Sequence, residues 1–474
     1  MPTISKTPEE AGAQISRAGY QWGTALGQPA EPISFGFRAT APGYNDYPHN
    51  EQSGFNQFSA QQIETATTAL SLWSDAANIS FVRVGEGTSG TEAYTDDATI
   101  LFGSYFSDQD GSAAFAFYPD PSGTASQFSD GDVWVNRYYD EKTTTPATYR
   151  FMTLMHEIGH ALGLQHPGAY NAGPGQSISY GNSAEYIEDS RQYSIMSYFS
   201  AASTGAYHAQ FYAGTPLMHD IVAIQRLYGA NMTTRTGDTV YGFNSNADQA
   251  AFHLESGSDT PIFCVWDAGG EDIFDFSGFA HDQVLDLRPG SFSNVGRLTD
   301  NVSIAPGAII EIAIGGSGDD IITGNEVDNT LLGKAGMDRL SGGDGADVLY
   351  GGTGTDSLEG GNGADTFVFN SPRGHTGGDV ILDFNIAEGD LIDMAGIDAR
   401  RHEPGDQSFD FIGAHRFTGH AGELRFKNGV LKGDLNGDGR ADFHITVQAD
   451  ANTDAPAALA VSTTFHLTAA DFIL

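Results

Sequence analysis

The run His156-Glu157-Ile158-Gly159-His160-Ala161-Leu162-Gly163-Leu164-Gln165-His166 spaces three imidazoles around one carboxylate. Residues at i and i+4 share a helix face, so His156 and His160 can grip one ion. Gly163 can take the left-handed conformation that ends a helix, which turns the chain back and delivers His166 as a third ligand. Three neutral imidazoles leave zinc a coordination position open to water, the arrangement of a catalytic site rather than a closed structural one. Glu157, beside the first ligand, is placed to take that water's proton. The chemistry expected is hydrolysis.

These side chains need rigid elements beneath them. The spacing predicts a helix from Thr145 as cap, with Pro146 at its first position, to about Leu162. A second helix is expected over about 60–77, where Ser59 and Gln62 make a capping box and Ile63, Ala66, Leu70, Trp73 and Ala77 recur at helical spacing. A third fits Leu217–Tyr228. Strand-like runs at Ile79–Val84, Thr99–Phe102, Ala113–Tyr118 and Val133–Val135 are separated by Gly/Ser/Asp turns. A mixed sheet flanked by helices is the expectation for residues 20–235. Residues 1–20 read as an N-terminal arm or a short pro-segment.

The whole chain bounds the partners. Its 474 residues suggest two large folding units or three smaller ones. Net charge is −39, from 61 acidic and 22 basic residues, which argues against nucleic acid and anionic membranes. The lone cysteine, Cys264, rules out an intramolecular disulfide and sits in the apolar run Ile262–Trp266, so a small buried hydrophobe is expected. The N-terminus lacks the apolar core of a secretory signal, and no run approaches a membrane span. Isolated histidines such as His208, His219 and His281 carry no metal-binding pattern and are expected on the surface or in the core.

After about residue 235 helical periodicity gives way to Gly/Asp punctuation. Residues 315–368 divide into six nonapeptides on the template G-G-x-G-x-D-x-U-x, where U is large and apolar. The glycines make a tight turn, the aspartate faces it, and U points inward from a short strand. Successive turns stack, so aspartates of adjacent coils can bind calcium between them. The expected ligands are Asp320, Asp338, Asp347, Asp356 and Asp365, and their apolar partners are Ile322, Leu340, Leu349, Leu358 and Phe367. Asn329 replaces the aspartate in the second unit, whose site should be weak or absent. Residues 311–370 hold eleven acids against Lys334 and Arg339, so repulsion should loosen this half until calcium binds. A flexible glycine linker would have no reason to place an apolar residue two positions after each aspartate. In the tail, Asp434–Asp442 resembles the start of an EF-hand loop without its twelfth-position glutamate, which leaves calcium and a plain acidic turn both open.

The zinc signature, the segment Ser194-Ile195-Met196-Ser197-Tyr198 and the nonapeptides occur in the order found in serralysins, secreted bacterial metalloproteases of the metzincin clan. The likeness extends to Thr236–Ser245 and Trp266–Gly270. It implies an α+β metzincin-like zinc protease domain over 21–235, then an all-β domain, a parallel β-roll or β-sandwich, over 236–474. Met196 would form an apolar floor under the histidines, and Tyr198 would ligate zinc, then swing away to stabilise the transition state. Calcium would be held at the junction by Arg235, Gly237 and Thr239 with Asp267, Gly269 and Asp272. A second junction site would use Gly270 and Asp272 with Ile309 and Glu311, several through carbonyls. In the repeats the turn glycines Gly315, Gly318, Gly342, Gly345, Gly351, Gly354, Gly360 and Gly363 would join the aspartates.

The same resemblance implies a monomer exported by type I secretion machinery that reads a C-terminal signal, for which Asp471-Phe472-Ile473-Leu474 qualifies. Protein or peptide substrates and a small protein inhibitor are the other implied partners. The substrate would lie extended along an edge strand, with Ala114 and Ala116 the candidate pairing residues. The N-terminus is shorter than usual before Tyr20-Gln21-Trp22, so removal of residues 1 to about 15 stays open. A competing reading is a calcium-dependent adhesion protein with an inert metal centre; hydrolysis lost in Glu157→Ala would separate the two.

Overall fold

The computed structural model describes the chain apart from residues 1, 24, 45–50, 109–110, 121–128, 140–146, 172–176, 372–377 and 450–465. Helix α1 spans Pro8–Ile15 and is started by Thr7, whose hydroxyl accepts from the Glu10 N–H. Helix α2, Ala60–Ala76, begins at the predicted Ser59/Gln62 capping box and buries Ile63, Ala66, Leu70 and Trp73. Helix α3, Tyr149–Ala161, carries the first two histidines. Helix α4 is Met218–Tyr228 and packs along α1.

The start of α3 corrects the sequence expectation. Thr145 and Pro146 lie outside the described residues, and the cap is Thr148, whose hydroxyl accepts from the Phe151 N–H at 3.3 Å. Ala147 just before it has φ +67°, a left-handed conformation that an α-helix begun at Pro146 could not pass through.

Five strands form one sheet: β1 (Ile33–Phe37), β2 (Phe81–Arg83), β3 (Ile100–Tyr105), β4 (Ala114–Ala116) and β5 (Val133–Asn136), in the order β2-β1-β3-β5-β4. β1, β2, β3 and β5 pair parallel, while β4 runs antiparallel to β5 at the edge, Ala114 opposite Val135 and Ala116 opposite Val133. The strand pattern of the sequence does not include β1. Its Gly36 weakens the strand signal, yet a Cβ there would lie 2.3 Å from Thr95 Cγ2, so packing dictates the glycine. Phe35, Phe37 and Phe102 of the sheet are buried with Trp73, Met155 and Ile158 of the helices. The Trp73 indole N–H also donates to the Met155 carbonyl at 3.2 Å, tying α2 to α3.

The second half consists of short strands in two nine-stranded sheets and one three-stranded sheet. Consecutive nonapeptides alternate between the two large sheets, so each parallel pairing joins residues 18 apart: Leu331 with Leu349 and Phe367 in one, Ile322 with Leu340 and Leu358 in the other. Those six side chains are fully buried, each worth about 2 kcal/mol as transferred apolar area. This is a β-roll, and it runs past the six recognised units. Val240–Phe243, Ile273–Asp275 and Ile312–Ile314 precede them in one sheet, and Leu391–Asp393 follows. Phe472–Ile473, in the expected export signal, closes that sheet as an edge strand on Ile392 and Asp393. A hydrophobic core runs through both halves. Cys264, with its thiol pushed up to about 12 by burial, lies inside it.

Candidate zinc centre and substrate cleft

His156 and His160 project from α3, and Gly163 turns the chain at φ +105° to bring His166 back to them. Only glycine fits here, because a Cβ would sit 1.9 Å from the Tyr20 carbonyl oxygen. The three Nε2 atoms converge, His166 lying 3.2 Å from His156 and 3.1 Å from His160. Each opposite nitrogen faces a backbone carbonyl: His156 Nδ1 to Ile195 at 2.7 Å, His160 to Leu164 at 2.7 Å, His166 to Tyr170 at 2.9 Å. With those Nδ1 protons donated, the Nε2 atoms are three acceptors with no proton among them. Acceptors at such separations repel unless a cation lies between them, and tetrahedral zinc with bonds of about 2.05 Å spaces its nitrogens by about 3.3 Å. The site therefore fits zinc. Among the described residues, this is the one group that brings three His, Cys or carboxylate ligand atoms within 4.8 Å of one another.

Burial keeps the ligands neutral. It draws His160 down to about 4, and burial together with the neighbouring imidazoles holds His156 and His166 well below the usual histidine range. Burial also lifts Glu157 to about 8; a dication beside it would pull that carboxyl back toward ionisation.

Met196 is fully buried against α3, and a Cβ on Gly159 would meet its sulfur at 2.8 Å, so a glycine between two ligands lets the floor approach. The loop carrying Met196 is fixed by Asp220 of α4. That buried carboxylate accepts from the Ser194 hydroxyl at 2.6 Å, the Ile195 N–H at 2.8 Å and the Leu217 N–H at 2.9 Å. Tyr198 stands beside the ligands with its ring 4.5 Å from that of His166, and its hydroxyl donates to Asn171 Oδ1 at 3.4 Å. A cleft of about 260 Å³ runs past Ala113, Ala114, His156, Glu157, Arg191 and Tyr198, so the edge strand and the ligands share one surface.

Sequence reasoning passed over Arg17 and Asp220. Residues 15–22 wrap the turn that delivers His166: the Ile15 carbonyl accepts from Gln165 N–H at 2.7 Å, and the Trp22 indole donates to the Ala161 carbonyl at 2.8 Å. Arg17 Nη1 donates to the His166 carbonyl at 2.8 Å. No motif marks these residues, since their partners lie far along the chain. His219 and His208 are buried and His281 stands beside Arg297, away from the ligands as expected.

The acidic positions of the roll are buried too. Asp320, Asp338, Asp347, Asp356 and Asp365 are each at most 2% exposed. Their Oδ1 atoms accept the N–H of a residue one coil back: Asp338 from Asp320 at 2.8 Å, Asp347 from Asn329 at 2.7 Å, Asp365 from Asp347 at 2.9 Å. The ladder continues through Asp379 and Asp390, which lie outside the nonapeptide template. Glycine opposite each aspartate is needed: a Cβ on Gly315, Gly342, Gly351 or Gly360 would fall within 2.5 Å of the carboxylate of its own unit. Gly354 and Gly363 stack so closely on Gly336 and Gly345 that a Cβ would lie under 2 Å from their carbonyls, and Gly318 in turn abuts Gly336.

At the junction, Asp272 Oδ1 accepts from Thr239 N–H at 2.8 Å, and its own N–H donates to Glu311 at 2.7 Å. Asp267 accepts from Gly269 N–H, and Gly237 from the Thr239 hydroxyl. Gly270 packs on Gly237, and Ile309 is partly exposed. Arg235 turns its guanidinium away, to Asp75 and the Trp266 carbonyl. The Asp434 loop is a closed turn in which both carboxylate oxygens accept from Gly437 and Gly439.

Residues 49–186 match the matrixin family, and residues 230–472 match the family described as Peptidase M10 serralysin C terminal. Metallopeptidase AprA of Pseudomonas marginalis is 44% identical over 94% of this chain and 90% of its own length. Metalloprotease AprA of Pseudomonas entomophila is 43% identical over 94% and 89%. Serralysin of Proteus mirabilis is 45% identical over 68% of the chain, a match spanning 65% of that protein. The two family matches divide where the mixed sheet gives way to the roll, and the chain belongs to the serralysin family of zinc metalloendopeptidases.

Proposed function

We propose that this chain cleaves peptide bonds of extracellular proteins at the His156/His160/His166 centre. Zinc held there would supply a Lewis acid that acidifies water and polarises the scissile carbonyl. Glu157, raised by burial and lining the same cleft, takes the proton of the attacking water and passes it to the leaving amine nitrogen. Tyr198 turns its hydroxyl from Asn171 toward the carbonyl oxygen as charge develops. The substrate pairs its backbone with Ala114 and Ala116, whose outer edge carries no neighbouring strand among the described residues. Main-chain pairing gives broad specificity.

The observation that carries this reading is the set of three carbonyl-fixed imidazoles whose Nε2 atoms converge beside Glu157. The decisive test compares casein hydrolysis by wild type and Glu157→Ala with bound zinc measured in both. Activity that survives in a zinc-loaded variant would overturn the mechanism; activity that disappears excludes the inert adhesion protein.

Calcium stabilises the roll in this proposal. Oδ2 atoms of Asp338, Asp347 and Asp365 are buried with no hydrogen-bond partner, as is Oδ2 of Asp272 at the junction. Burial and neighbouring acids push Asp338 and Asp347 up to about 7, and burial with Asp267 alongside also raises Asp272. Buried anions of this kind need a counter-cation. Low calcium inside the cell leaves the roll loose for export through a type I system that reads Asp471–Leu474. Once folded, that segment is paired into a sheet edge. Residues 15–18 belong to the working enzyme, because they hold the third ligand's turn.

A further inference from the structure

Among the described residues, Arg191 is the one basic side chain other than histidine in the walls of the zinc cleft, and it also lines a second hollow of about 260 Å³ that shares Met152 with it. The second hollow is walled by Ala201, Ala206, Ala213, Phe211 and Tyr212 and has no acidic residue among the described residues that line it. The side chain is held in place. Arg191 N–H donates to the Phe199 carbonyl at 2.9 Å, Nε donates to the Ser197 carbonyl at 3.1 Å, and the guanidinium lies 6.0 Å from the Tyr149 ring centroid. Both backbone partners flank Tyr198, so the loop bearing the catalytic tyrosine also sets the position of the guanidinium.

Two other guanidiniums of the fold are neutralised, Arg38 by Asp132 and Arg235 by Asp75 and Asp248. Arg191 has no carboxylate within 4.0 Å among the described residues, and neither Nη has a protein acceptor there. A half-buried guanidinium whose two Nη groups have no protein acceptor is open to an anion entering the cleft. The planar fork of the guanidinium matches a carboxylate, which it binds through two parallel N–H donors.

We propose that Arg191 is a specificity-determining residue that receives the side-chain carboxylate of a substrate aspartate or glutamate flanking the scissile bond. The proposal rests on the proteolytic reading above. The substrate backbone lies along β4, one neighbouring side chain enters the second hollow past Met152, and its carboxylate meets the two free Nη groups. The small alanines leave room for that side chain, and the aromatic wall covers its methylenes.

The test uses full-length enzyme loaded with zinc and calcium and two pairs of quenched fluorescent peptides. One pair differs only by glutamate or glutamine immediately after the scissile bond, the other immediately before it. At one of the two positions wild type should favour glutamate by about tenfold in kcat/KM, the size of one charge-assisted hydrogen bond. The ratio should fall to near one in Arg191→Met and stay intermediate in Arg191→Lys. A wild-type ratio near one at both positions overturns the proposal. So does a ratio that persists in Arg191→Met, or an equal loss on both peptides of a pair, which would place Arg191 on the substrate main chain. Failure of wild type to cleave any of the peptides would count against the proteolytic reading itself.

Discussion

Arg17 reaches across the protease half to donate a hydrogen bond to the carbonyl oxygen of His166 at 2.8 Å, 149 residues away in sequence. The same guanidinium nitrogen donates to the Gln14 carbonyl at 2.7 Å, closing the end of α1. The N-terminal arm thus holds the backbone of His166, the third imidazole of the cluster. Arg17→Ala should loosen that turn by about 1 kcal/mol, roughly a fivefold loss in zinc affinity. Zinc release into a chelator, followed by a colorimetric dye, measures it, and Arg17→Lys should recover part of the loss. Equal release rates in wild type and Arg17→Ala would refute the clasp.

Asp220 acts through the Met196 loop. It is fully buried and accepts three hydrogen bonds, two of them from residues 194 and 195, and the Ile195 carbonyl receives the His156 Nδ1 proton. Asp220→Ala should leave three buried donors unsatisfied and cost about 3 kcal/mol or more. Thermal unfolding together with zinc stoichiometry tests this. A melting temperature within a degree or two of wild type would rule out the supporting role.

Tyr198→Phe removes one hydroxyl while keeping the ring against His166. Peptide hydrolysis should fall about 100-fold in kcat with KM little changed, since the lost interaction belongs to the transition state. An unaltered kcat would remove Tyr198 from the mechanism.

Protons should compete with calcium in the roll. Asp338 and Asp347 stand at about 7 in the folded, calcium-free protein, raised chiefly by burial from an ordinary 3.8. Between those values the folded state binds more protons than the unfolded one. The calcium-free fold therefore loses stability as pH rises through that window and no further above about 7. Calcium must displace these protons, so half-saturation should shift to higher calcium as pH falls from 8 to 6, by about tenfold per fully competing site. Circular dichroism during calcium titration at several pH values reads the shift. A midpoint that stays fixed would disprove the assignment.

Local chemistry was legible in the chain. His156, Glu157, His160 and His166 lie within eleven residues, so helix periodicity and one glycine suffice to bring them together. The nonapeptides were equally readable, because each coil repeats its own turn, aspartate and apolar residue; all the predicted apolar positions are buried. What failed depended on contacts elsewhere. Local pattern places the cap at Thr145, whereas the left-handed φ of +67° at Ala147, which no residue type there signals, moves it to Thr148. β1 was passed over because its Gly36 answers to Thr95, which no window of neighbouring residues contains.

The sequence by itself therefore determined the three-histidine cluster, the carboxylate beside it and the coil repeat, since each follows from side-chain chemistry at short range. Only the tertiary structure decided which groups hold that chemistry in place. It set Arg17 on His166, Asp220 under Met196, Asp379 and Asp390 on the aspartate ladder, and Arg191 between two hollows. The physical reason is range: a ligand's chemistry belongs to its own side chain, whereas its orientation and the charge around it come from residues brought near by packing.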